Sequence, residues 1–178
     1  MRNEMVILVN EADEQTGLME KLEAHEKGAL HRAISVFIFN SKGEMLLQQR
    51  QHGKYHSEGL WTNTCCSHPH NGETTSEAAH RRLREEMGLE TPLAFVFQFQ
   101  YHAQLDQDLI EHEIDHVYIG VTDELPLPNP LEAAGYRYMS AESLLADLAL
   151  HPEQYTEWFK ICLPEVLKRT NSICNHHE

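Results

Sequence analysis

The chain has 178 residues and a mass of 20.5 kDa, enough for one hydrophobic core closed without disulfides. Its 41% hydrophobic and 24% charged residues exclude a disordered or fibrous chain, and 28 acidic against 14 basic residues, a net charge of −14, exclude a general affinity for nucleic acid or anionic membrane. The early apolar run Met5 to Val9 is far too short to span a bilayer and no other segment approaches that length, so a cytoplasmic protein is expected.

Met5 to Asn10 reads as a short strand, and Glu11 to His25 as an irregular acidic stretch with Gly17 as its breaker. His31 to Phe39 is rich in β-branched and aromatic residues. A turn at Asn40 to Gly43 and an apolar run from Glu44 to Arg50 complete a hairpin pattern. Gln51 to Gly72 follows as a long polar loop, of a length that is usually functional. Thr74 to Glu77 has capping-box spacing, Ala78, Ala79, Leu83 and Met87 recur at helical intervals, and Gly88 supplies a stop, so a helix is predicted over 75–87. Ala94 to Tyr101, aromatic at Phe95, Phe97, Phe99 and Tyr101, and Glu111 to Val121 read as strands. Pro126, Pro128 and Pro130 make 122–134 a connection, and Gly135 to Met139 is a last strand. Ser140 caps a helix carrying Leu144, Leu145, Leu148 and Leu150, and Pro152 opens another to about Arg169, kinked at Pro164. This order predicts an α+β architecture in a single domain over 1–178, a mixed sheet flanked by helices with further helices at the C-terminal end. His176 and His177 read as a terminal tail.

Four cysteines are too few and too irregular for a disulfide scaffold, and zinc-ribbon spacing is absent. Thirteen histidines, taken singly, are explicable as surface polar residues, so a metal site has to rest on geometry. Adjacent Glu85 and Glu86, just before Gly88, present two carboxylates suited to a hard divalent cation that can neutralise a phosphate. The alternative is a solvated helix face paired from Arg81 to Glu85 and from Arg82 to Glu86. Glu111 and Glu113 are two apart in a predicted strand and share a face, as do Cys66 and His68 if that segment is extended. Two carboxylates side by side toward a core raise each other's pKa unless a cation sits between them. His25, His31 and His68 could add imidazole nitrogens, and three His with two Glu suit manganese, magnesium or zinc, with zinc slightly disfavoured at that coordination number.

The string from Ser67 to Leu89 resembles the Nudix signature: Gly, five residues, Glu, seven residues, Arg-Glu, an aliphatic, any residue, Glu-Glu, any residue, Gly, an aliphatic. Glu73, Arg81, Leu83, Glu85, Glu86, Gly88 and Leu89 match, while Ser67 stands in place of the Gly and Arg82 in place of the Glu after Arg. A cation at 82 weakens a pyrophosphatase reading, which needs several carboxylates to hold water-activating metals, and adds a phosphate contact. Trp61-Thr-Asn-Thr-Cys-Cys66-Ser-His68-Pro69 is similar to the active-site segment of type I isopentenyl-diphosphate isomerases, which use a Nudix-like fold without hydrolysis. Thr16-Gly17, Ala24-His25, Leu30-His31, Phe99-Gln-Tyr101, Glu111-His-Glu113 and Trp158 extend the resemblance in order over most of the chain.

The resemblance implies interconversion of isopentenyl and dimethylallyl diphosphates, with a proton delivered to one carbon and another removed two carbons away through a tertiary carbocation. It implies Cys66 and Glu113 as the proton-transfer pair on opposite sides of the substrate, with Tyr101 hydrogen-bonded nearby. It also implies a metal site of His25, His31, His68, Glu111 and Glu113, holding Mn2+ or Mg2+, with Zn2+ as a further option. Lys21, Arg50, Lys54 and Arg82 match the positions that meet the diphosphate, and Glu86 the position that helps hold a phosphate-bridging Mg2+. Trp158, with Trp61 second, is expected to face the carbocation, a contact worth about 2 kcal/mol when desolvated. The C-terminal helical segment is expected to act as a lid against water. His52 and His56 flank the same loop without an assignment. Cys66 as a small buried hydrophobe and Trp158 as a core anchor stand as the structural alternatives. A Nudix-type hydrolase and a non-catalytic metal-binding regulatory module are the competing functions. The expected partner is a small diphosphate, with no nucleic acid and no membrane, and no residue pattern specifies an oligomeric state.

Overall fold

The computed structural model describes residues 4–174, so His176 and His177 lie outside the described residues. Among the described residues, nine strands form one mixed sheet. They are β1 (Met5–Val9), β2 (Gln15–Glu20), β3 (His31–Phe39), β4 (Met45–Arg50), β5 (Trp61–Thr62), β6 (Cys65–Ser67), β7 (Ala94–Gln104), β8 (Ile110–Val121) and β9 (Ala133–Met139). Four α-helices among the described residues accompany it: α1 (Lys21–Lys27), α2 (Thr75–Met87), α3 (Ala141–Leu150) and α4 (Glu157–Cys174).

The centre is β3, the most continuously apolar strand. It runs parallel to β8 along its whole length, from His31 opposite Glu113 to Phe39 opposite Val121. On its other edge β3 meets β1 at His31, β6 at Ile34 to Val36 and β4 at Ile38 and Phe39. Alternation along the strands then separates two cores. Phe37, Phe39, Met45, Leu47, Val117 and Ile119 pack with Leu144 of α3 and Trp158, Phe159, Leu163 and Val166 of α4. Ile34, Val36, Ile38, Leu46 and Tyr118 pack with Ala78, Ala79, Leu83 and Met87 of α2. Continued backward, the first face of β8 carries Asp115, Glu113 and Glu111, so the α4-side core gives way to buried polar groups at one end.

The expected architecture is present, with four local corrections. The stretch from Glu11 to His25 is not irregular: it contains edge strand β2 and helix α1, the latter capped by the Glu20 side chain and closed by Gly28 in the left-handed region (φ 65°). β2 is largely solvated, which removes the apolar alternation that would mark it, and Gly17 sits within the strand opposite Leu8 rather than breaking it. The loop from Gln51 to Gly72 contains β5 and β6, too short for any periodicity; Asn63 and Thr64 fasten it by donating to the carbonyls of Val36 (3.1 Å) and Leu46 (2.6 Å). Pro152 opens only a 3-10 turn, and α4 starts at Glu157, because Tyr155 is extended and Thr156 N–H is claimed by Trp61 O (3.0 Å). Finally, α4 is not a lid: Phe159, Leu163 and Val166 have no exposed surface and form the core itself. Among the described residues no helix is long and apolar enough to cross a membrane.

Candidate active site

The buried polar end of the sheet opens into a cleft of about 780 Å³. Strand register builds its wall. Glu113 is the parallel partner of His31 and the antiparallel partner of Tyr101, and Ser35 is the partner of Cys66, so these side chains share one face. Glu113 Oε1 lies 3.1 Å from His31 Nε2 and 3.0 Å from His68 Nε2, and Oε2 accepts the Tyr101 hydroxyl at 2.8 Å. His25 enters from α1, its Nε2 3.8 Å from Glu111 Oε1. His25 and His31 donate Nδ1–H to the carbonyls of Lys21 (2.7 Å) and Ala29 (2.8 Å), which turns Nε2 of both rings toward the carboxylates.

Burial sets the electrostatics. It raises Glu111, and the neighbouring Glu113 charge raises it further. Glu113 meets the same burial but ends below the usual carboxylate range, because the hydrogen bond and charge of His31 outweigh it. His31 is raised in turn, its burial overcome by Glu113, while burial and then the His31 charge push His68 well down. Asp115, next on the same face, accepts Ser35 Oγ at 2.6 Å and is raised by burial and then by Glu113. Cys66 lines the cleft, and burial holds its thiol well above the ordinary value.

The donor set fits a divalent ion. Ligand atoms of His25, His31, His68 and Glu113 all lie within 4.8 Å of one another. Adjacent donors around an ion at about 2.1 Å stand about 3.0 Å apart, the separation found between Glu113 Oε1 and two imidazole nitrogens. His25 Nε2 and Glu111 Oε2 are buried without a hydrogen-bond partner, as an ion site requires. Glu111 falls in a second group, with His25 and His56, rather than with the other four.

The cations expected at a diphosphate line this same cleft. Lys21 pairs with Glu4 (3.0 Å) and Lys54 with Glu132 (2.5 Å), while Arg82 reaches Glu86 (2.6 Å) and Glu132 (3.5 Å). Arg50 donates to the carbonyls of Ser57 (3.1 Å) and His56 (3.2 Å) and lies 5.3 Å from the Trp158 ring. Glu86, near Arg82 and away from the His cluster, accepts Gln48 Nε2 at 3.0 Å. Trp158 borders the cleft and is also anchored in the core. Trp61 does not take the expected second aromatic place: Arg137 covers its ring at 4.2 Å.

A NUDIX domain model matches residues 29–159. An isopentenyl-diphosphate Delta-isomerase of Pectobacterium atrosepticum is 55% identical over 161 residues, covering 90% of each chain. An isopentenyl-diphosphate Delta-isomerase 2 of Aromatoleum aromaticum is 48% identical over 164 residues, covering 92% of this chain and 87% of its own. The chain belongs to this isomerase family of Nudix-domain proteins. Among solved structures, a crystal structure from Deinococcus radiodurans, DR0079, matches with a TM-score of 0.74 and 25% identity over 93% of this chain and 98% of its own. A MutT protein of Methanosarcina mazei matches in fold, with a TM-score of 0.65 and 20% identity over 80% of this chain and 95% of its own.

Several residues that this isomerase-family cleft presents escaped the sequence reading. Asp115 was within reach, since it continues the two-residue alternation of Glu111 and Glu113. Glu4, Glu132 and His56 carried no such signal; they arrive from just before β1, from the proline-rich connection and from a loop.

Proposed function

We propose that the chain interconverts isopentenyl and dimethylallyl diphosphates in this cleft, with Cys66 and Glu113 as its proton-transfer pair. One observation supports this reading above others: the half-buried Cys66 thiol and a histidine-bracketed carboxylate border the same cleft as Lys21, Arg50, Lys54 and Arg82. An unactivated alkene demands a neutral acid held in a dry site, and burial keeps the Cys66 thiol protonated. In the forward direction Cys66 Sγ gives its proton to the terminal methylene, and the electron pair of the double bond forms the new C–H bond. The tertiary carbocation left behind faces the Trp158 indole, worth about 2 kcal/mol. Glu113 takes a proton from the carbon on the diphosphate side, and that C–H pair becomes the new double bond. Tyr101, donating to Glu113 Oε2, holds the carboxylate in place. The reverse reaction exchanges acid and base.

His25, His31, His68, Glu111 and Glu113 would hold Mn2+ or Mg2+, or else Zn2+, and the ion supplies positive charge that keeps two buried carboxylates together. Glu86 would share a second Mg2+ with the diphosphate, whose remaining charge Lys21, Arg50, Lys54 and Arg82 meet. The whole chain acts as one isomerase domain in the cytoplasm. Hydrolysis is disfavoured because Arg82 occupies a carboxylate position of the Nudix helix and engages Glu85 and Glu86 itself.

The test is turnover of isopentenyl diphosphate with Mg2+ in deuterated water, followed by NMR of the products. Dimethylallyl diphosphate carrying deuterium in the new methyl group is expected. Release of inorganic phosphate, or product without solvent deuterium, would overturn the reading.

A further inference from the structure

His56 has no part in the five-residue metal set, and its position is unlike that of a loop histidine. It is 4% exposed, on the loop between β4 and β5. Its ring lies 5.4 Å from that of His25 and stands edge-on to Trp158 at 6.0 Å. Arg50 fixes the backbone here through the carbonyls of His56 and Ser57, and Ser57 N–H donates to Asp106 Oδ1 at 3.1 Å. His56 Nδ1 faces Ser57 Oγ at 3.2 Å; a ring that donates Nδ1–H to that hydroxyl carries its lone pair on Nε2.

A ligand atom of His56 lies within 4.8 Å of those of His25 and Glu111, and this group shares His25 with the cluster of His31, His68 and Glu113. The shared His25 Nε2 has one lone pair, so it serves one ion and not two. Both that nitrogen, which belongs to both groups, and Glu111 Oε2, which belongs to the group of His56, are buried without a hydrogen-bond partner.

We propose that His56 is a sixth protein donor to the metal centre, closing with Glu111 the side of the ion that His31, His68 and Glu113 leave open. The inference rests on the metal reading above and deepens it. Four imidazoles and two carboxylates make a nitrogen-rich set that favours a transition ion such as Mn2+, Co2+ or Zn2+ over Mg2+. A six-donor shell also leaves no position for water, which suits a centre that holds charge without activating a nucleophile. Because His56 sits on the same loop as Lys54, and Arg50 at the end of β4 holds that loop through the His56 and Ser57 carbonyls, ion binding would also fix the loop proposed to meet the diphosphate.

The experiment is titration of the metal-stripped full-length protein with Co2+, followed by visible absorption and by competition with a chromophoric chelator. Wild type, His56→Gln and His56→Gly are compared, with near-UV circular dichroism as the check on folding. The expected result is one ion per wild-type chain, about tenfold weaker binding in both variants with altered d–d bands, and tighter binding by His56→Gly when imidazole is added. His56→Gln is the decisive variant if His56→Gly does not fold. Wild-type binding with both affinity and spectrum unchanged in a folded His56→Gln would overturn the role of His56 and leave the five-residue site standing. No stoichiometric binding by wild type would overturn both.

Discussion

Helix α2 and strand β8 each bring a cluster of carboxylates to the cleft, and the two clusters are neutralised in different ways. On α2 and just before it, arginines of the same helix answer the acids: Arg81 holds Glu73 at 2.7 Å and Arg82 holds Glu85 and Glu86, each at 2.6 Å. On β8, Glu111 and Glu113 are 5% and 4% exposed, and among the described residues their ion-pair partners are histidines alone. A guanidinium is always charged, so the Nudix helix needs no ion to be stable. An imidazole contributes charge only with a proton, so the β8 cluster is balanced by protons or by a metal. The comparison teaches that the signature helix neutralises its own acids and serves as a scaffold, with Arg82 as the proposed diphosphate contact, while the demanding electrostatics lie on β8.

The largest effect that would test this division is loss of the β8 carboxylate. Glu113→Gln keeps the shape but cannot accept the proton, and Cys66→Ala removes the acid. Each is expected to lower turnover to about 1% or less with the fold intact by circular dichroism. Residual activity above a few per cent in both would remove the pair from the chemistry and return attention to α2.

Next in size is Arg82→Glu, which restores the carboxylate of the Nudix signature. It places a fourth acid beside Glu85, Glu86 and Glu132, all within 3.5 Å of the present guanidinium. We expect at least a tenfold rise in KM for isopentenyl diphosphate, with no phosphate release. Phosphate release by this variant would mean that α2 remains the reactive centre.

Chelation should separate the regions through stability. Removing the ion leaves Glu111 and Glu113 buried against each other, so Tm should fall and recover with Mn2+, while an Arg82→Ala protein, whose lesion lies on α2, should show the same chelator-dependent drop. A Tm indifferent to chelation would show that protons alone hold the β8 cluster.

How much of this was legible before the structure depends on where each residue's signal lies. β3, α2 and β8 announce themselves because one buried face imposes a period on their residues, and the cap at Thr74 with the stop at Gly88 fixes the ends of α2. β2 was missed because a solvated edge strand has no such period, and β5 and β6 because two or three residues cannot show one. In the site, Cys66, His68, Glu111 and Glu113 were readable from local spacing and resemblance. His56, Glu4 and Glu132 were not, since a loop histidine or a surface acid becomes part of a site only when the fold brings distant segments together. The same holds for Trp61, whose indole was free to serve a carbocation until Arg137 of β9 covered it.

A smaller effect concerns pH. The Cys66 thiol must be protonated to act as acid, and burial raises it from the ordinary value of 9.0. With the pKa raised, the protonated form persists on the alkaline side, so kcat/KM should show no thiol-linked decline between pH 7 and about 9. Alkylation of Cys66 by iodoacetamide, which needs the thiolate, should stay slow over the same range. Fast alkylation near pH 8 would show a thiol activated for some other chemistry.

The smallest effect sharpens the claim that α2 is a scaffold. Thr74 Oγ1 accepts Glu77 N–H at 3.1 Å, and Glu77 Oε2 accepts Thr74 N–H at 2.8 Å, a reciprocal pair that satisfies two backbone donors at the helix start. Thr74→Ala removes one of these bonds and should cost about 1 kcal/mol, or about 2–4 °C in Tm for a chain of this size. Arg82 and Glu86 lie two turns or more further along, where Leu83 and Met87 are anchored in the core, so fraying of the first turn does not reach them. The expected outcome is therefore a lowered Tm with KM and kcat unchanged. A rise in KM at constant kcat would mean that the helix start helps to aim Arg82 at the diphosphate, and the scaffold would then be part of the binding site along its whole length.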